Sequence, residues 1–251
     1  MQTAQQLVAH VAHLFPEAVF YKETSEKVVA LTIDDVPTPN EADDRSTQLI
    51  LDAIATHNQG VESLSNLVRA TFFIISSHLG EGTTIIDRIV ERGHEIGNHG
   101  TADETTALLD PEIFAAQLNA ADRRISKQHQ QSLRWYRPGR GLYNKAMLRC
   151  LRQMPGYEPR FALASMLPVD TFKPMDDGRF TAWYVAGHIF PGAILVLHGG
   201  TAERCQQTAT ALTLLLDELK QRDYRTVTLS ELWDLDSERS LMPLSRLGTP
   251  Q

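Results

Sequence analysis

Val28-Val29-Ala30-Leu31-Thr32-Ile33-Asp34-Asp35 is the stretch that decides how this chain folds. Its apolar and β-branched start describes a strand buried on both faces, as in a parallel sheet covered by helices. The strand then runs into two adjacent carboxylates. Like charges side by side raise each other's proton affinity, and desolvation adds to the cost. A pair at the mouth of a buried strand therefore implies an offset: a cation, a base role, or both. Downstream, Gly93-His94-Glu95-Ile96-Gly97-Asn98-His99-Gly100-Thr101-Ala102-Asp103 supplies further donors. His99 and Asp103 are four residues apart, so one helical turn would put both on one face. Asp35, His99 and Asp103 together carry the donor types of a first-row metal site.

Working outward, short apolar strands alternate with helical patterns. Strands are expected at 28–33, 70–75, 95–97, 133–136, 193–197 and 226–229, with weaker candidates at 161–164 and 182–185. Helices are expected at 4–14, 46–55, 84–92, from Asp110 to about residue 128, near 144–152, and at 205–220. Asp110-Pro111 is a capping aspartate followed by proline in the first turn. The first helix should pack Leu7, Val8, Val11 and Leu14. Repeated strand–helix alternation implies a parallel sheet, either a closed barrel or an open doubly wound sheet. The polar clusters fall on the same end of that sheet. Asp34 and Asp35, His99 and Asp103, Arg137, and His198 each follow a strand, where parallel α/β folds build their sites.

Composition narrows the function classes. The chain has 251 residues, 42% of them hydrophobic, enough for one large core, and a single domain over 1–251 is expected, with 1–25 as a helical extension and 237–251 as a loose tail. A net charge of −7 argues against a nucleic-acid-binding surface. No apolar run is long enough for a membrane span. Residues 1–6 lack the basic start of a signal peptide, so a cytoplasmic location is expected. Two cysteines, Cys150 and Cys205, give neither metal-ligand spacing nor a disulfide framework, and Cys150 is expected to be buried.

These residues describe metal-assisted hydrolysis of an amide or ester. Three protein ligands leave positions open for water and substrate. Asp34 is then a candidate general base, held ionised by a bidentate pair with Arg137. His198 is suited to protonate a leaving group. Each residue also has a plain structural reading. The Asp pair could cap a helix, His99 and Asp103 could hydrogen-bond each other, Arg137 could form a simple ion pair, and His198-Gly199-Gly200 could end a strand. His94 is expected to be structural, and the remaining histidines, His78 and His188 among them, surface or core residues.

The chain resembles the NodB-like polysaccharide deacetylases, carbohydrate esterase family 4, from about Val28 to Leu232. Thr32-Ile33-Asp34-Asp35 is similar to the first family motif and Gly93-His94-Glu95-Ile96-Gly97-Asn98-His99 to the second. Tyr136-Arg137-Pro138-Gly139-Arg140-Gly141 resembles the third, and Leu195-Val196-Leu197-His198 the last. The resemblance implies a distorted (β/α) barrel and removal of acetyl groups from an N- or O-acetylated carbohydrate. Asp34 would be the base, His198 the acid, and Arg137 the residue orienting the base. The Arg140 backbone N–H would help hold the oxyanion. Asp35 and His99 would bind a divalent ion, zinc first, with cobalt, manganese and nickel as alternatives. The chain departs from the family pattern at Asp103, where the second metal-binding histidine is usual. It departs again at Val169-Asp170-Thr171, which keeps the aspartate of an Asp-Trp motif without the indole, and the resemblance counts Asp170 among the catalytic residues. Gly199 stands where an aspartate is common. Two other readings stand beside deacetylation: a non-catalytic carbohydrate- or metal-binding protein on the same scaffold, and a hydrolase of another small amide.

Overall fold

The computed structural model describes residues 3–129, 132–173 and 175–241. Its centre is the strand Val28–Val36, here β2, which follows a two-residue strand β1, Ala18–Val19. Every residue of β2 is buried, the apolar start and the two carboxylates alike. All its pairings are parallel: with β3 (Ala70–Ile74), β6 (Ile194–His198) and β7 (Arg225–Val227). β4 (Glu95–Asn98) extends the sheet beyond β3, and β5 (Phe161–Ala162) pairs in parallel with β1.

The ring closes through single backbone bonds. Asn98 bridges Tyr136, the Ala162 N–H donates to the Tyr136 carbonyl, and the Ser165 N–H donates to the Ile194 carbonyl at the start of β6. A barrel that closes partly on isolated bridges is a distorted one, as expected. The expected strand at 133–136 contracts to that one bridge, and the one at 161–164 to two residues.

Helices cover the ring: α1 (Ala4–Leu14), α2 (Arg45–Asn58), α3 (Ile85–Glu91), α4 (Pro111–His129), α5 (Lys145–Leu151), α6 (Gly178–Gly187), α7 (Ala202–Gln221) and α8 (Leu229–Leu241). Asp110 accepts from the Glu112 N–H at 2.9 Å, so the capping reading of the α4 start holds. The 182–185 segment is not a strand. It lies inside α6, because Asp177 caps that turn through the N–H groups of Arg179 and Phe180, and Ala182 and Val185 are buried at helical spacing. The expected tail is helical as far as Leu241, since Thr228 and Glu231 cap each other's backbone N–H groups ahead of α8. Residues 242–251 of that tail lie outside the described residues. The expected extension at 1–25 is only partly helical, because β1 ties its second half to β5. In α1, Leu7 and Leu14 are exposed rather than packed. Cys205 is buried, while Cys150 is half-buried. No helix among the described residues is long and apolar enough to cross a membrane.

His94 is structural. Its Nδ1 accepts the Ala70 N–H at 3.2 Å, which joins β3 to the turn before β4. Burial lowers its proton affinity to about 4, with Arg92 and Arg69 adding to the effect.

Candidate active site

Successive residues on a strand face opposite sides, so Asp34 and Asp35 should not both look into one cavity. They do so because β2 is irregular between Ile33 and Val36, and Asp35 takes a left-handed φ of 65°. The bend turns both carboxylates into a cavity of about 1230 Å³ that His99, Asp103, Arg137, Arg140 and His198 also line. The glycines after His198 are required by this bend. A Cβ at Gly199 would stand 2.6 Å from a Val36 methyl, and one at Gly200 would stand 3.0 Å from the Asp35 Cβ. That explains why this chain has no aspartate at 199.

Arg137 is buried and fully engaged. Its Nη1 donates to Asp34 Oδ1 at 2.6 Å and to Thr32 Oγ1 at 2.7 Å. Nε and Nη2 donate to the Ala162 and Leu163 carbonyls, and the guanidinium lies 4.1 Å from the centre of the Phe73 ring. The expected bidentate pair is therefore a single charged bond to Asp34, with the rest of the fork held by backbone. This leaves Asp34 Oδ2 turned towards two imidazoles, 3.8 Å from His99 Nε2 and 4.0 Å from His198 Nε2.

Both rings are oriented from behind. His99 Nδ1 lies 2.8 Å from the Arg137 carbonyl, which can only accept, so the proton sits on Nδ1 and Nε2 faces the carboxylates. Asp35 Oδ1 is 3.3 Å from that Nε2. Burial opposes charge on His99, but Asp34 and Asp35 outweigh it and raise its proton affinity. Burial likewise works against the Asp35 carboxylate, yet His99, His198 and Arg204 hold its pKa down at about 2. His198 Nδ1 lies 3.1 Å from both oxygens of Asp170, which also accepts the His198 backbone N–H at 2.8 Å. Burial opposes the imidazolium, but Asp170 first, then Asp34 and Asp35, raise its pKa to about 9. Asp170 reaches the other reactive groups only through His198, so it positions that ring.

The third expected ligand behaves differently. Residues 99–105 form a loop rather than a helical turn, so the spacing that would align His99 with Asp103 does not apply. Asp103 lines the cavity but is exposed, and among the described residues no three His, Cys, Asp or Glu side chains come together to hold a metal ion. Asp35 Oδ1 and His99 Nε2 are two converging donors, and an imidazole lone pair turned on two carboxylates fits a cation between them. Among the described residues the chain fits a two-donor site and does not supply a third. Arg140, also exposed, lines the cavity from a turn in which its φ is 58°.

Sequence reasoning missed two neighbours. Arg204, in the first turn of α7, places Nη1 3.5 Å from Asp35 Oδ2. His78 places Nδ1 2.8 Å from the Pro37 carbonyl and 3.3 Å from that of Asp35, which braces the bend. Neither follows a strand end within a recognisable motif, so nothing in the sequence marks them.

The polysaccharide deacetylase family model matches residues 21–158. The chain belongs to that family. A peptidoglycan-N-acetylglucosamine deacetylase of Bacillus cereus is 28% identical over 83% of this chain and 89% of its own length. A family 4 acetyl xylan esterase from Clostridium thermocellum, solved with a cobalt ion, superposes with a TM-score of 0.70 at 27% identity, covering 84% of this chain and 92% of that one. A mutant of a CE4 family pseudoenzyme from Bacillus anthracis, with restored enzymatic activity, superposes with a TM-score of 0.71 at 26% identity, covering 87% of this chain and 72% of that one.

Proposed function

We propose that this chain is a metal-dependent hydrolase that removes acetyl groups from an acetylated carbohydrate. The observation that carries the reading is the position of Asp34 Oδ2. It is free of Arg137, faces the cavity, and stands near two imidazoles that are each oriented by a second group. Base and acid then share one cavity, as hydrolysis of an amide or ester requires.

In this reading a divalent ion held by Asp35 and His99 supplies charge that polarises the acetyl carbonyl and makes water more acidic. The chain's own residues do the rest. Asp34 takes a proton from the attacking water through Oδ2, while Arg137 fixes Oδ1. His198, charged because Asp170 stands behind it, gives its Nε2 proton to the leaving nitrogen or oxygen. The Arg140 backbone N–H is the proposed donor to the developing oxyanion. The relatives' names, one a peptidoglycan-N-acetylglucosamine deacetylase and one an acetyl xylan esterase, support both N- and O-acetyl groups as targets. The esterase's cobalt ion supports the cation.

The exposure of Asp103, together with the pseudoenzyme among the neighbours, favours one second reading: a carbohydrate-binding protein with an incomplete site. Acetate release from N-acetylglucosamine oligomers, peptidoglycan fragments and acetylated xylan, each with added zinc, cobalt, manganese or nickel, separates the two. Release that depends on the ion and on Asp34 supports the hydrolase. Saturable glycan binding without release, under every ion, supports the binding protein.

A further inference from the structure

The catalytic groups are a minority of the residues that line their cavity. The rest of the lining includes an apolar set, here called the apolar flank, drawn from separate segments: Leu7 and Val11 from α1, Met166 and Leu167 beyond β5, Phe172, and Tyr184 from α6. Three of these are unusually open for large apolar side chains: Leu7 at 57%, Leu167 at 69% and Phe172 at 50% of their full exposure. Single exposed leucines need no explanation, but several large apolar side chains lining one functional cavity mark what that lining is for.

Thr3 and Gln6 cap α1 reciprocally, which fixes where that helix starts and satisfies its first backbone N–H groups. Several of the flank's polar atoms are already spent. Ser165 Oγ donates to the Phe20 carbonyl and accepts the Ile194 N–H, and His188 Nδ1 is bonded to the Tyr184 carbonyl. A sugar ring laid on this flank would surrender hydrogen bonds to water and regain few, which costs affinity. A hydrocarbon group laid there would gain by leaving water.

We propose that the substrate carries a hydrocarbon arm beside the acetylated group, seated on this flank while the acetyl group meets Asp34 and His198. The inference rests on the deacetylase reading for the role of Asp34 and His198. The arm could belong to the aglycone of the sugar or to a second, longer acyl group elsewhere on it, and the chemistry of the flank is the same for both.

The test is binding, so that it does not depend on turnover. Octyl and methyl β-glycosides of glucosamine, and the methyl glycoside of N-octanoylglucosamine, are titrated calorimetrically into the full chain below micelle-forming concentration. Burial of about two methylene groups predicts at least ~10-fold tighter binding of an octyl-bearing ligand than of the methyl glycoside. Tighter binding of the octyl glycoside places the arm on the aglycone side, and tighter binding of the N-octanoyl sugar places it on the acyl side. The Leu7→Asp and Leu167→Asp variants, both at exposed positions, should reduce the preference below ~3-fold with melting temperatures unchanged. Equal affinity for octyl and methyl ligands overturns the proposal, as does a preference that survives both variants. Acetate release from octyl N-acetylglucosaminide is followed separately. If the octyl preference holds and no acetate appears from this substrate or from the glycan substrates above with any added ion, the deacetylase reading fails and the hydrocarbon site stands.

Discussion

Replacing Asp170 by Asn tests the proton donor directly. In the native protein the His198 imidazolium survives deep burial because Asp170 lies 3.1 Å from Nδ1, and the ring's pKa is raised from 6.5 to about 9. That shift corresponds to about 3 kcal/mol favouring the charged ring. Asn keeps an oxygen able to accept the His198 backbone N–H, so the ring stays near its place while losing the largest charge that holds its proton. Burial then dominates, and the pKa should fall to 6.5 or below. At pH 8 the charged fraction drops from about nine-tenths to a few per cent, so acetate release should fall roughly 30-fold, while at pH 6 the loss should be small. The assay is a pH–rate profile of kcat/KM on an N-acetylglucosamine oligomer with added divalent ion, and the alkaline limb should move down by at least ~2 pH units. A limb that stays put in a folded variant would refute the argument, because His198 would then not be the group whose protonation limits the rate.

Three further outcomes follow from the same geometry. Asp34→Asn should abolish acetate release while leaving a divalent ion bound, and should cost up to about 3–5 kcal/mol of stability because it leaves the buried Arg137 guanidinium without its counter-charge; chemical denaturation and metal analysis read both parts. Asp103→His should tighten divalent-ion binding measured calorimetrically, since an imidazole restores the usual family ligand type; unchanged affinity would mean that position 103 does not reach the ion. His94 takes up a proton at about pH 4 in the fold and near 6.5 when unfolded, so between these values the unfolded chain binds more protons. Stability should therefore be complete above about pH 6.5 and decline by about 3 kcal/mol as pH falls to 4, and His94→Gln should flatten that decline in denaturation curves taken across the window.

The strand of Asp34 and Asp35 and the positions of His99, Arg137 and His198 were legible because each follows a buried apolar run, and such a run in a parallel sheet delivers its last residue to one end of the barrel. What failed was local. Ala182–Val185 reads as a strand by its apolar content, but a capping aspartate five residues upstream commits that segment to a helix. The spacing of His99 and Asp103 promised a shared face only if the chain between them were helical, and nothing in Gly100-Thr101-Ala102 enforces a helix. Arg204, His78 and the apolar flank could not be found at all. They are brought to the cavity by packing between segments far apart in sequence, and each has an ordinary local context.

The pairing of β2 also governs when this protein can exist during its synthesis. Leu31 meets Ala70 early, but Ala30 must wait for Ile194 and Val28 for Arg225. Contacts this distant close slowly, because the loop entropy is spent before the contacts are made. A ribosome-bound chain that has not yet reached β6 holds its central strand with one open edge, and open edges recruit other chains. Asp34 and His198 face each other at the end of the β2–β6 pairing. The site therefore forms only as the barrel seals, and truncation ahead of β6 should yield an aggregating fragment rather than a weakened enzyme.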